Sequence, residues 1–231
     1  MNKRIAVFVS SAGSAFRESW KILQEYSCKK YNFVVITDRK CGIESFCDEN
    51  QIEHKYIEYV NREQFSLDAC RYIDSTGGID FAILYFLRIL SSQLFTKYLC
   101  LNIHPSLLPS FRGVNAVEQF LKSGAKFMGA TLHMIDAGVD TGPIIAQVQV
   151  PVSPTITMAQ ANKISFLQKV YLNLLAVDLL ESKSLSFNKE YSGFEWTKAM
   201  PYSYYANPLL QNQNFLAGFI ELQKQENCQI I

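Results

Sequence analysis

The first hundred residues alternate between two periodicities, and that alternation restricts the fold more than any other feature of the chain. Apolar, largely β-branched runs recur as RIAVFV (4–9), FVVITD (33–38), IDFAILYF (79–86) and LCLNI (99–103). Residues 53–59 alternate as a weaker strand. Between these runs lie segments with helical spacing: FRESWKILQEY (16–26), a short one over 41–50, one from Asn61 to about Asp74, and a short one over 91–98. Asn61 stands where an N-cap belongs, and Gln64 follows three residues later as in a capping box. Buried strands separated by helical crossovers form a mostly parallel sheet, so the expected fold class is α/β, doubly wound. Such sheets bind ligands at the carboxyl ends of their strands.

After Gly113 the pattern changes. VNAVEQFLKSG reads as a helix ended by Gly124. KFMGATLHMI and PIIAQVQVPV read as two strands joined by DAGVDTG, and Thr157 to about Glu181 as a long amphipathic helix. From Ser182 the periodicity fades into SFNKEYSGFEWTKAMPYSYYANP. The expected organisation is a catalytic domain over 1–181 and a short irregular extension over 182–231. Tyr191, Phe194, Trp196, Tyr202, Tyr204 and Tyr205 either pack this tail onto the core, meet a second copy of the chain in a homodimer, or stack a nucleotide base.

Composition narrows the partners. A net charge of +1 gives no general attraction for a nucleic-acid polyanion. No apolar run reaches the length of a membrane span, so no membrane association is expected. The six cysteines (Cys28, Cys41, Cys47, Cys70, Cys100, Cys228) are scattered without a C-x-x-C pair, which argues for a cytoplasmic protein with reduced thiols. Three dispersed histidines, His54, His104 and His133, do not suggest a metal site.

The chemistry concentrates in NIHPSLLPSFRG, 102–113. Asn102 and His104 end an apolar strand two residues apart, so their side chains share a face. Asp140 follows in the glycine-flanked loop GVDTGP. An amide that donates to a developing oxyanion, an imidazole that donates or moves protons, and a carboxylate that orients the imidazole suit acyl-type transfer. On the triplet alone, a structural, hydrogen-bonding histidine is the commoner reading. No G-x-S-x-G nucleophile is present, and Ser106 reads as a turn residue.

HPSLLPSFRG followed by GATLHMIDAGVDTGPIIAQ resembles the signature of the 10-formyltetrahydrofolate-dependent formyltransferases, over roughly residues 1 to 180. Within them it is similar to the glycinamide ribonucleotide transformylase branch, whose folate-side segment FLRIL (86–90) also resembles. The resemblance implies that Asn102, His104 and Asp140 are catalytic and that 10-formyltetrahydrofolate is the formyl donor. It places the folate against Phe86, Leu87, Arg88, Ile89 and Leu90 and the loop Ile135, Asp136, Ala137, Gly138 and Val139. It places a small amine acceptor against Ala12, Gly13, Ser14, Ala15, Pro105 and Arg112. It also raises a cis bond at Leu108-Pro109.

The acceptor side departs from the branch pattern. Its G-S-N loop reads Gly13-Ser14-Ala15 here, and Arg112 stands where proline is usual. Counting back from Tyr171, Ile164 and Leu167 fall where the branch carries a glutamine and a glutamate on its long helix. The expected acceptor is therefore a phosphorylated or nucleotide-linked amine such as an amino sugar, with glycinamide ribonucleotide as the alternative. A hydrolase that releases formate and a non-catalytic folate-binding protein are further readings. Methionyl-tRNA formyltransferase is disfavoured by the short tail and the lack of basic excess.

Overall fold

The computed structural model describes residues 3–27 and 31–231; Cys28 lies outside the described residues. Its main sheet contains strands β1 (Lys3–Val9), β2 (Tyr31–Thr37), β3 (Glu53–Tyr56), β4 (Phe81–Tyr85), β5 (Cys100–His104), β6 (Phe127–Met134), β7 (Ile144–Pro151) and β10 (Ala206–Asn207). The spatial order is β10-β7-β6-β5-β4-β1-β2-β3. Strands β5, β4, β1, β2 and β3 run parallel, and β6, β7 and β10 extend the sheet antiparallel. The chain moves outward from β1 to β2 and β3, then returns to β4 on the other side of β1. The strand order therefore reverses between β1 and β4, where doubly wound sheets open a crevice.

Strand alternation assigns the two faces. Ile5, Val7 and Val9 pack in one cluster with helices α1 (Ser14–Tyr26), α2 (Ile43–Glu49), α6 (Met158–Glu181) and α7 (Gln213–Gln225). Ala6 and Phe8 point the other way, into a cluster with α3 (Arg62–Ser75) and α4 (Ser92–Phe95). Helix α5 (Ala116–Ser123) closes a smaller cluster in which Phe120 meets Met128 and Ala161. The helix starts follow from local chemistry. Asn61 Oδ1 accepts from the Gln64 N–H at 2.8 Å, although the Gln64 side chain turns to Asp68 rather than back to the cap. Thr157 and Gln160 form a reciprocal capping box at the start of α6. No described helix is long and apolar enough to cross a membrane.

Two expectations about the last 75 residues change. Helix α6 is amphipathic only at its start; from Val170 to Leu179 every residue is buried. The reason is the segment after it, which is more regular than its sequence suggests. A hairpin of β8 (Leu185–Phe187) and β9 (Phe194–Trp196), the edge strand β10 and the 13-residue helix α7 all lie there. Phe215 and Phe219 are fully buried, and Phe219 meets the Tyr171 ring edge-on at 5.3 Å. Polar groups of α6 hold the crossing. The Tyr171 hydroxyl accepts from the Leu210 N–H at 2.9 Å, and Asp178 accepts from Gln211 and Asn212 at 2.7 and 3.0 Å. Of the tail aromatics, Phe187, Tyr191, Phe194 and Trp196 pack on one another, while Tyr202 and Tyr204 are exposed.

Candidate active site

Beyond β4, loops rather than helices cover the second face of the sheet. Antiparallel pairing sets Asn102 of β5 opposite His133 of β6, and His104 opposite Thr131; Thr131 is in turn opposite Gln147 of β7. Period-two alternation puts all five polar side chains on that face, while Leu101, Ile103, Ala130 and Leu132 fill the core on the other. The loop over 135–143 brings Asp140 back onto this layer. Asp140 adopts a left-handed conformation, φ 52°, which aspartate tolerates better than most residues.

The triplet is assembled. His104 Nδ1 lies 3.2 Å from Asp140 Oδ2, and the Asn102 amide donates to Asp140 Oδ1 at 3.3 Å. The Gly113 N–H donates to Asp140 Oδ2 at 2.8 Å. Burial works to raise the pKa of Asp140, but its contact with His133, the Gly113 N–H and His104 outweigh it and hold the carboxyl below the ordinary aspartate range. His104 Nε2 faces the carbonyl of Phe111 at 2.8 Å. With an acceptor at each nitrogen, the ring satisfies both only as an imidazolium. Burial opposes that charge and lowers the pKa of His104 below the usual histidine value, against the pull of the Phe111 carbonyl and Asp140. The imidazole is thus held between two imperfect states, a useful condition for moving a proton.

His133 is the residue that sequence reasoning set aside as structural. Its Nδ1 faces the Met134 carbonyl at 2.8 Å and carries a hydrogen; Nε2 lies 3.1 Å from the Asn102 amide and 3.6 Å from Asp140 Oδ1, so it accepts from Asn102 in the neutral ring and faces the carboxylate as a donor in the charged one. With the neutral ring both amide hydrogens of Asn102 are engaged, the longer and weaker bond being the one to Asp140. The polar-apolar-polar run Thr131-Leu132-His133 was the available signal, but only strand register shows that it meets Asn102. Thr131 and Gln147 were also missed. Thr131 Oγ1 donates to the Ser106 carbonyl at 2.7 Å and accepts from the Leu108 N–H at 3.0 Å, and Gln147 Nε2 reaches the Leu108 carbonyl at 3.0 Å. They pin the loop over 105–113, in which Leu108-Pro109 is cis and Ser106 donates to the Ser110 carbonyl.

The two segments expected to face the folate lie side by side, because Phe86, Leu90 and Ile135 all pack on the same cluster. This corrects the expectation for Phe86 and Leu90. Phe86 stacks on Phe65 at 5.1 Å, and Leu90 is buried, so both side chains serve the core. Leu87, Ile89 and Val139 remain exposed, at 64%, 48% and 48%, an apolar surface that a flat ring system would cover. Arg88 is tied to Asp38 at 3.0 Å and lies over the Tyr59 ring. Asp136 is spent inside its own loop, accepting from Gly138 and Thr141, and Ala137 and Gly138 are exposed.

On the other side of the reversal point, the loop after β1 opens a cavity of about 450 Å³ lined by Ala12, Ser14, Arg17, Glu18, Lys163, Phe166 and Glu226. Gly13 has φ 65°, a left-handed backbone that strains any side chain, and a Cβ there would also have to displace the tip of Ile43, 2.8 Å away. Ala15 turns into the core and leaves Ala12 and Ser14 facing the cavity. On α6, Leu167 is fully buried and Ile164 packs on apolar neighbours, whereas Lys163 and Phe166 line the cavity. Pro105 is half-buried and Arg112 exposed, in the loop beside His104.

Residues 3–172 match the model of the formyl transferase family. The chain belongs to that family. It is 32% identical over 163 residues to the trifunctional purine biosynthetic protein adenosine-3 of Drosophila pseudoobscura pseudoobscura, covering 66% of this chain and 12% of that protein. It is 33% identical over 161 residues to the chloroplastic phosphoribosylglycinamide formyltransferase of Vigna unguiculata, covering 65% of this chain and 52% of that protein. The chain thus spans no more than about half the length of either relative. The crystal structure of glycinamide ribonucleotide transformylase 1 from Symbiobacterium toebii superposes with a TM-score of 0.74 at 28% identity, covering 82% of this chain and 92% of that one. The Vigna unguiculata and Symbiobacterium toebii proteins are named for glycinamide ribonucleotide. The expected preference for a nucleotide-linked amino sugar therefore loses its ground to the alternative acceptor.

Proposed function

We propose that this formyltransferase moves the formyl group of 10-formyltetrahydrofolate onto the primary amine of glycinamide ribonucleotide. One observation carries the reading. The assembled Asn102, His104 and Asp140 share the carboxyl edge of one sheet with an exposed apolar surface at Leu87, Ile89 and Val139 and with a charged cavity at the start of α1. Strands β5 and β1 are two places apart in the sheet, so their ends are about 10 Å apart, a distance that a phosphorylated sugar amine spans.

The donor supplies a formyl carbon attached to nitrogen; the residues handle charge and protons. As the amine adds, the formyl oxygen becomes negative. An oxygen in place of the Phe111 carbonyl at His104 Nε2 receives a hydrogen bond, and its growing charge compensates the imidazolium that burial otherwise disfavours. Asn102 gives its amide hydrogen to the same oxygen by releasing the 3.3 Å bond to Asp140. Asp140, kept ionised, takes the amine proton through water and holds His104 in place. The proton then passes to the departing folate nitrogen, so no covalent enzyme intermediate is required. At the other end, the N-terminus of α1 and Lys163 favour the acceptor phosphate.

The test is a formyl-transfer assay followed by folate absorbance, with glycinamide ribonucleotide beside nucleotide-linked amino sugars. Turnover of glycinamide ribonucleotide is the expected result; turnover of an amino sugar alone would overturn the acceptor.

A further inference from the structure

We infer that Glu226, carried by the C-terminal extension, is a specificity-determining residue of the acceptor cavity, where its carboxylate accepts hydrogen bonds from the hydroxyls of a phosphorylated sugar. This rests on the acceptor reading above.

The argument begins with helix packing. Gly218 of α7 sits so close to α1 that a Cβ there would meet Ile22 Cγ2 at 2.8 Å and Tyr26 Cδ2 at 2.9 Å. From Gly218 to Glu226 is eight residues, about 12 Å of helix. The same length along α1, from the Ile22 and Tyr26 turn back towards its start, reaches Ser14 and Glu18. The two helices therefore run antiparallel, and the last turn of α7 arrives where α1 begins. Glu226 is the C-cap residue there, its N–H donating to the Leu222 carbonyl at 2.9 Å.

Charge pairing then ties Glu226 to the cavity. Lys163 Nζ donates to the Glu226 carbonyl at 2.8 Å and lies 3.5 Å from its Oε2. The side chain of Glu226 is 36% exposed, enough to meet a ligand. Helix α6 itself presents Lys163 and Phe166 to the cavity and no carboxylate. The cavity's carboxylates come from α1, where Glu18 is paired with Lys21, and from Glu226, in a segment beyond the family match, which ends at residue 172. With a cation and a helix N-terminus at hand, the cavity suits a phosphate beside hydroxyl groups rather than a bare anion.

The experiment compares the full chain with Glu226→Gln, and with Glu221→Gln as a control on the same helix, where Glu221 pairs with Lys224. Steady-state kinetics with glycinamide ribonucleotide should show Glu226→Gln raising the acceptor KM by roughly tenfold or more, the loss of a charged hydrogen bond. The KM for the folate donor and the kcat should stay near those of the parent. An acceptor KM within about twofold of the parent overturns the inference. If the parent itself does not turn over glycinamide ribonucleotide, the functional reading fails first, and calorimetry with ribose 5-phosphate decides the cavity alone. Binding to the parent that weakens about tenfold in Glu226→Gln supports the assignment. Equal binding to both, or binding to neither, overturns it.

Discussion

The proposed donor half and the proposed acceptor half of this site are built on different principles. The donor half and the catalytic triplet come from adjacent strands and the loops that leave them, so chain order and strand register almost suffice to place Leu87, Asn102, His104 and His133. The acceptor cavity is assembled from three distant segments, at 12–18, 163–166 and 226. It stands only because α7 folds back across α1 and α6. A half held by the sheet tolerates little change, whereas one closed by a peripheral helix can be rebuilt without disturbing the chemistry.

The largest expected effect breaks the acceptor half through its support. Phe219→Ala removes a fully buried ring against Tyr171 and should cost about 3–5 kcal/mol in urea denaturation. If the loss is under about 1 kcal/mol, α7 is not held as the structure has it. Next comes the chemistry. His104→Ala and Asp140→Asn should each lower kcat by about a hundredfold or more, and near-normal turnover in either would remove the assigned roles. Thr131→Val leaves the Leu108 N–H and the Gln147 amide short of a partner, which should shift stability by about 1–3 kcal/mol. A kcat that drops as well would show that the pinned loop positions His104; an unchanged kcat would make the pin purely structural.

Smaller effects sharpen the division. Leu87→Asp should raise the folate KM about tenfold, because a ring would then have to desolvate a carboxylate, and leave the acceptor KM unchanged. A matching rise in the acceptor KM would mean that the two halves are not separate. The smallest signal is a pH slope. The unfolded chain titrates His104 near 6.5, and the buried ring titrates lower. Just below pH 6.5 the unfolded state therefore binds more protons, and stability falls as pH falls. His104→Asn should flatten the urea midpoint across that window; an unchanged slope would place the pH dependence elsewhere.

Much of this was legible in the sequence. The strand and helix alternation placed β1 to β5, and the spacing of Asn102 and His104 set them on one face. The capping residues Asn61 and Thr157 marked helix starts. The misses share a cause. His133, Thr131 and Gln147 look like ordinary strand residues until an antiparallel register sets them beside Asn102, His104 and the loop over 105–113. Ile164 and Leu167 turn away from the cavity that their neighbours Lys163 and Phe166 line, because each residue along a helix rotates the side chain by about 100°. The tail looked irregular because α7 is short and its apolar side chains find their partners only on α1 and α6.

The sequence by itself determined strands β1 to β5 and the helices between them, because each depends on local periodicity, and the resemblance of its motifs pointed to Asn102, His104 and Asp140. Tertiary structure alone decided that His133 backs Asn102, that Lys163 and Phe166 of α6 line the cavity at the start of α1, and that Glu226 reaches it. Those contacts join residues tens to hundreds of positions apart, where helix rotation and strand register, rather than residue type, set what meets what.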